Sequence, residues 1–174
     1  MLPDTDLAVE AAAGHPAAFE ALVRRHQATV RGLTRRLTSR SPDADDIAQA
    51  TFLKAWQQIG SYKGGSFKAW LCTIAYREFL HARRRAKPEV AFDDSVHVLC
   101  FEHDELRVGD HLDLYRALSS LPEAQRVCVS LCVAAGLTHR EVADITQWPL
   151  GTVKSHVVRG VGALRKALAT EHVA

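Results

Sequence analysis

Aromatic residues make up only 7% of this 174-residue chain, and methionine occurs once. With so few large rings the core volume must come from Leu, Val and Ala, which favours helices over a β-sandwich. The 10 glycines and 6 prolines are too few for a collagen-like or low-complexity sequence. No basic segment at the start leads into an apolar run, so a secretory leader is not expected. The longest uncharged apolar stretch, near Val127 to Thr138, is too short to span a bilayer, and no membrane insertion is expected. The four cysteines lack a compact disulfide framework and read as reduced thiols of a cytoplasmic protein. Catalytic signatures are missing as well. There is no glycine-rich phosphate loop after a strand, no His-Glu-x-x-His and no nucleophile elbow, so neither an enzyme nor a cofactor is expected.

What remains is an ordinary globular composition, 47% hydrophobic and 24% charged, with a net charge of +2. The distribution says more than the sum. Asp4, Asp6 and Glu10 make the N-terminus acidic, whereas Arg24 to Arg40 and Arg83 to Lys87 are basic. Apolar residues recur at helical spacing through Phe19, Leu22, Val23, His26, Val30, Leu33 and Leu37. Ser41-Pro42-Asp43 breaks that pattern and offers a cap for a second helix carrying Ile47, Ala50, Phe52, Leu53 and Trp56. A glycine-bearing loop, Ser61 to Ser66, precedes a third helix over Phe67 to Arg85, which Pro88 stops. Residues 89–110 are acidic and show no clean period, so they read as a linker. A second helical block follows over 111–174, with helices expected at Glu123 to Ala135, His139 to Thr146 and Gly151 to Thr170. The expectation is an all-α protein of two small domains, 1–88 and 111–174.

The second block contains a helix-turn-helix pattern. Gly136 can take a left-handed cap, Thr138 can be the N-cap, and Glu141 completes a capping box. Gln147-Trp148-Pro149 makes a short turn before a helix with Val153, Val157, Val161 and Leu164 inside and Lys154, Ser155, His156, Arg159 and Arg165 outside. A short helix, a tight turn and a longer basic helix suit a DNA major groove. A plain helical hairpin with a solvated basic face is the alternative.

Leu121-Pro122-Glu123-Ala124-Gln125-Arg126, Gly136-Leu137-Thr138 with Glu141-Val142-Ala143, and Gly151-Thr152-Val153-Lys154-Ser155-His156 resemble region four of bacterial extracytoplasmic-function sigma factors. Asp43 to Trp56 resembles the polymerase-binding helix of region two in the same family, and Phe67 to Ala75 followed by Arg83-Arg84-Arg85 its promoter-melting helix. The resemblance implies a dissociable subunit that binds core RNA polymerase, directs it to promoter DNA and is held by an anti-sigma factor. By position it implies that Asp45, Asp46, Gln49, Phe52 and Trp56 face polymerase. Phe52 and Trp56, four apart on one helical face, also read as core. Tyr62, Lys63, Ser66, Phe67, Lys68, Trp70, Arg77, Arg83, Arg84 and Arg85 would serve minus-ten recognition and melting. That work needs rings or polar groups for an unstacked base and cations for its backbone. Trp70 again has a core alternative, and the basic run could simply complement its helix dipole. Arg140, Thr152, Lys154, Ser155, His156 and Arg159 would read the minus-thirty-five element.

The pattern is not perfect. Gln147 stands where the family's turn has Gly, and His156 where Arg is usual; Arg77 and His81 depart from a frequent Asn and Asp. Two other readings stay open: a helix-turn-helix regulator independent of polymerase, and a sigma-like decoy that sequesters an anti-sigma factor. His97, Cys100 and His103 form a weak metal-ligand candidate with no standard spacing. Cys128 and Cys132, beside Leu131, and Cys72 read as small core hydrophobes.

Overall fold

The structure, a computed structural model, describes residues 2–38, 41–85 and 108–171. Among these residues it is all-α, with helices α1 (Asp4–Ala12), α2 (Pro16–Leu37), α3 (Ser41–Gln58), α4 (Phe67–Arg85), α5 (Val108–Ser119), α6 (Glu123–Val129), α7 (His139–Thr146) and α8 (Leu150–Glu171). A 3₁₀ turn over Ile59–Ser61 follows α3, and a π turn over Ser130–Ala134 continues α6. The helix expected to run regularly to Ala135 therefore widens at Ser130, where one extra residue enters the turn. The second block also starts earlier than expected, since α5 begins at Val108.

Helices α1 to α4 enclose one apolar cluster built from Leu7, Ala11, Leu22, Val30, Ala48, Ala55, Leu71 and Ile74. Small alanines on α1 and α3 let the backbones approach closely, which suits a chain with few large side chains. Buried hydroxyls bond to their own helices: Thr51 donates to the Ile47 carbonyl at 2.7 Å and Thr34 to that of Arg31 at 3.1 Å. His26, also buried on α2, meets the Asp4 carboxylate through Nε2 at 2.8 Å and ties α1 down. A smaller cluster of Leu118, Leu121 and Val129, with Val161 and Leu164 against it, joins α5, α6 and α8.

A third cluster joins the two helical groups. Leu33, Leu37, Ile47, Cys72, Ala75, Tyr76 and Phe79 of α2, α3 and α4 pack with Val127, Cys128, Leu131, Leu137, Val142, Ile145 and Val153 from the second half. The π turn lies on α2, and α7 lies on α4. No periodicity within either half predicts that contact.

Candidate nucleic-acid interface

The loop between the 3₁₀ turn and α4 is shaped by Gly64 and Gly65, at φ +92° and +88°, a conformation that side chains rarely adopt. The Tyr62 hydroxyl donates to the Gly65 carbonyl at 2.7 Å and closes the loop. Ser66 caps α4 by accepting from the Ala69 N–H at 3.1 Å. Tyr62, Phe67 and Trp70 form a ring cluster with centroids 5.3 to 5.6 Å apart. Tyr62 and Trp70 are half-buried, so both rings keep part of their surface in solvent, and Lys63 beside them is exposed. Phe67 corrects its expectation. It is 3% exposed, with its ring tilted against that of His26 at 5.4 Å, so it has no free face for a base and packs instead against the other two rings. Burial and then the Asp4 charge push the Tyr62 phenol above its ordinary range, so it remains a neutral hydrogen-bonding group.

Along α4, Arg77, Arg84 and Arg85 are exposed and Lys68 is half-buried. Lys68 and Arg83 have partners in the second half of the chain. The Lys68 ammonium donates to the Gly136 carbonyl at 3.3 Å, and Arg83 pairs with Glu123.

The helix-turn-helix forms where the sequence predicts it. Gly136 has φ +66°, and the Thr138 backbone N–H donates to the Glu141 carboxylate at 2.7 Å while the Glu141 N–H donates to the Thr138 hydroxyl at 3.2 Å. The Thr138 backbone bond chiefly holds the Glu141 carboxyl below its usual range; burial opposes it, while the Thr138 hydroxyl, Lys68 and Ser66 assist. Gln147 does take the left-handed conformation, φ 60°, and its side chain bonds back to the Asp144 carbonyl at 2.5 Å. The turn thus survives without the usual Gly.

On α8, Thr152, Lys154, Ser155 and Arg159 are exposed, as is Arg140 at the start of α7. His156 does not join this surface freely. Its ring lies 5.7 Å from that of Trp148, and its buried Nδ1 has no hydrogen-bond partner.

Asp45, Asp46 and Gln49 are exposed on α3. Asp45, Gln49 and Phe52 line a shallow cleft with Val23, Gln27 and Arg31 of α2. Sequence reasoning missed the α2 wall; the i, i+4 spacing of Gln27 and Arg31 was its only trace. Trp56 packs on Phe19 at 5.0 Å and keeps 38% exposure, so it is neither core nor free surface.

Cys72 and Cys128 are buried free thiols, and burial pushes each up to about 12. Cys132 is half-buried and also raised by burial. His97, Cys100 and His103 lie outside the described residues; among the described residues no group of three or more His, Cys, Asp or Glu could hold a metal. No described helix is long and apolar enough to cross a membrane.

Two family models match the chain: sigma-70 region 2 over residues 22–89 and sigma-70 region 4 over residues 111–164. The RNA polymerase sigma-H factor of Pseudomonas aeruginosa is 31% identical, the match covering 95% of this chain and 93% of that protein. The sigma factor SigE of Mycolicibacterium smegmatis is 35% identical over 95% of this chain and 68% of its own length. Among solved structures, the sigma factor RpoE of Bartonella quintana, in complex with the anti-sigma factor NepR, is similar with a TM-score of 0.77 and 30% identity, covering 87% of this chain and 96% of that one. CnrH in complex with the cytosolic domain of CnrY shares the fold at a TM-score of 0.72 and 24% identity, over 96% of this chain and 97% of that one. By both its halves and nearly its whole length, the chain belongs to the extracytoplasmic-function sigma factors of the sigma-70 family.

Proposed function

We propose that the division of labour within this sigma factor follows its exposed surfaces. The chain is an alternative sigma factor, not an enzyme: it binds core RNA polymerase and directs initiation, and the chemistry belongs to the polymerase. Domain 1–88 binds core polymerase and serves the minus-ten element; the linker follows from 89, and the second block, which α5 opens at Val108, reads the minus-thirty-five element. The α2–α3 cleft, with Asp45, Gln49 and Phe52, meets polymerase, with Asp46 beside it and Trp56 near the end of α3. Tyr62 and Trp70 hold an unstacked base above Phe67, while Lys63, Lys68, Arg77 and Arg83 to Arg85 meet the strand's phosphates. Thr152, Lys154, Ser155 and Arg159 enter the upstream major groove, and Arg140 anchors the backbone.

The observation that carries this reading is one chain holding two surfaces suited to DNA: an exposed polar stripe on the second helix of a capped helix-turn-helix, and half-exposed rings over a glycine loop that opens a basic helix. An anti-sigma partner controls the factor, as the NepR complex of its structural relative supports. On this reading its work, with polymerase and promoter DNA, is cytoplasmic.

Reconstituted transcription tests the reading. Purified chain and its own core polymerase should initiate at the promoter of its own operon, with permanganate marking the opened strand. The double variant K63A/W70A should still bind polymerase yet leave that strand closed. Normal opening by this variant would remove the loop from the melting role.

A further inference from the structure

Helix α1 lies outside the sigma-70 region 2 match, which begins at residue 22, yet it is built against the loop that carries the half-exposed rings. Leu7 and Ala8 of α1 share an apolar cluster with Ile59 of the 3₁₀ turn and with Phe67 and Leu71 of α4. A chain of contacts runs from α1 through that packing to the rings. The Asp4 carboxylate meets His26 Nε2 at 2.8 Å through one oxygen, and its other oxygen pairs with Arg25, which also donates to the Leu2 carbonyl at 3.1 Å. The His26 ring lies 5.4 Å from that of Phe67. Phe67 in turn lies 5.3 Å from Tyr62, edge-on, and 5.4 Å from Trp70. Burial, and then the charge of Asp4, raise the Tyr62 phenol, which keeps its hydroxyl protonated and donating to the Gly65 carbonyl.

His26 is 7% exposed, on the apolar stripe of α2, where a leucine would fill the space with no polar atom to satisfy. What an imidazole adds there is direction, because the bond to Asp4 fixes the plane of the ring. Phe67 has no polar atom of its own, so its orientation is set by the surfaces it packs on. We propose that Asp4 and His26 are positioning residues for promoter melting: the Asp4 bond orients the imidazole, the imidazole orients Phe67, and Phe67 sets the spacing at which Tyr62 and Trp70 receive an unstacked base. His26 is too enclosed, and Asp4 of the wrong charge, to contact DNA directly. Ring spacing matters because a gap of about 0.5–1 Å already forfeits roughly a quarter to a half of the dispersion attraction. The proposal rests on the reading of Tyr62 and Trp70 as base-holding rings, and it makes α1 part of the melting site.

The test uses holoenzyme assembled from the full chain and its core polymerase. It is bound to a fluorescein-labelled promoter duplex of its own operon, mismatched over the minus-ten element, and dissociation is followed by anisotropy after heparin is added. W70A should speed dissociation about tenfold, the loss of one base–ring stack. D4A, and H26F, which keeps a ring against Phe67 but loses the bond, misplace the rings rather than remove one and should each speed it about three- to fivefold. R25A loosens α1 yet leaves the Asp4–His26 bond, and should stay within about twofold of the parent. The double variant D4A/W70A should match W70A alone, since nothing remains to be positioned. If D4A instead adds its full factor on top of W70A, it acts elsewhere and the proposal fails. R25A as damaging as D4A would reduce the effect to attachment of α1 and overturn it too. Silence of D4A and H26F beside an effective W70A would overturn the positioning role and leave the rings as read. Silence of W70A would refute both.

Discussion

Leu131 lies in the π turn with 0% exposure, in the apolar cluster that joins the two halves. Its neighbours in that cluster include Leu33 and Leu37 of α2, which are each 1% exposed. Truncation to alanine removes the transfer energy of the side chain and leaves a cavity that stiff surroundings cannot refill; for a site this enclosed the cost is about 3 kcal/mol. If the two halves share one core, that cost is felt in both. Hydrogen exchange measured segment by segment by mass spectrometry reads this out. The slowest amides of α2 around residues 30–37, more than ninety positions away, should lose protection by roughly 150-fold, which is 3 kcal/mol at 1.36 per decade. The matched loss should appear in α7 around Val142 and Ile145, in the same cluster. A loss confined to α5 to α8, with α2 unchanged, would mean that the halves unfold independently and that the shared cluster contributes nothing to cooperativity.

Four further outcomes follow from single sites. Gly160 lets α8 approach α6, because a Cβ there would meet the Val129 Cγ2 at 2.6 Å; G160A should cost about 1–3 kcal/mol by overpacking, seen as a lower urea midpoint. Gln147 holds a left-handed conformation that glycine adopts without strain, so Q147G should raise Tm by about 2 °C, the gain being trimmed by the lost bond to Asp144; a fall in Tm would show the side-chain bond to outweigh the strain. Cys72 and Cys128, both pushed up to about 12, should resist iodoacetamide at pH 8 and label only at the unfolding rate, whereas half-buried Cys132 should label ahead of both. Glu141 has a folded-state pKa below its unfolded one, so its stabilisation is present above the unfolded value and disappears as pH falls through the folded one. The pH dependence of the urea midpoint below about pH 4.5 should therefore flatten in E141Q.

Most of the helical ladder was legible because its determinants are local. The capping box Thr138–Glu141, the left-handed Gly136 and the apolar spacing of α2 act within a turn or two, and each appears where the residues place it. Gln147 shows the limit of that logic in one direction: its positive φ could be named as a cost, but the Asp144 carbonyl that helps offset it becomes visible only in the folded turn. Phe67 and His156 show it in the other. Position in a motif marks both as DNA contacts, but it does not give their surroundings: Phe67 is buried beside His26, and half-buried His156 has its ring 5.7 Å from that of Trp148, because rings near a core follow the apolar space available to them. The π turn at Ser130 was not legible, since a widened turn leaves the same apolar spacing as a regular one over so few residues.

By itself, then, the sequence determined the helices, their caps, the helix-turn-helix and the family, all of which rest on short-range patterning and on motifs in a given order. The tertiary structure alone decided which ends of α4 are paired, which wall α2 lends to the α3 cleft, and that the apolar residues of both halves close over one another. Those outcomes depend on contacts between residues tens of positions apart, and periodicity along one helix says that a face is apolar without saying what will cover it.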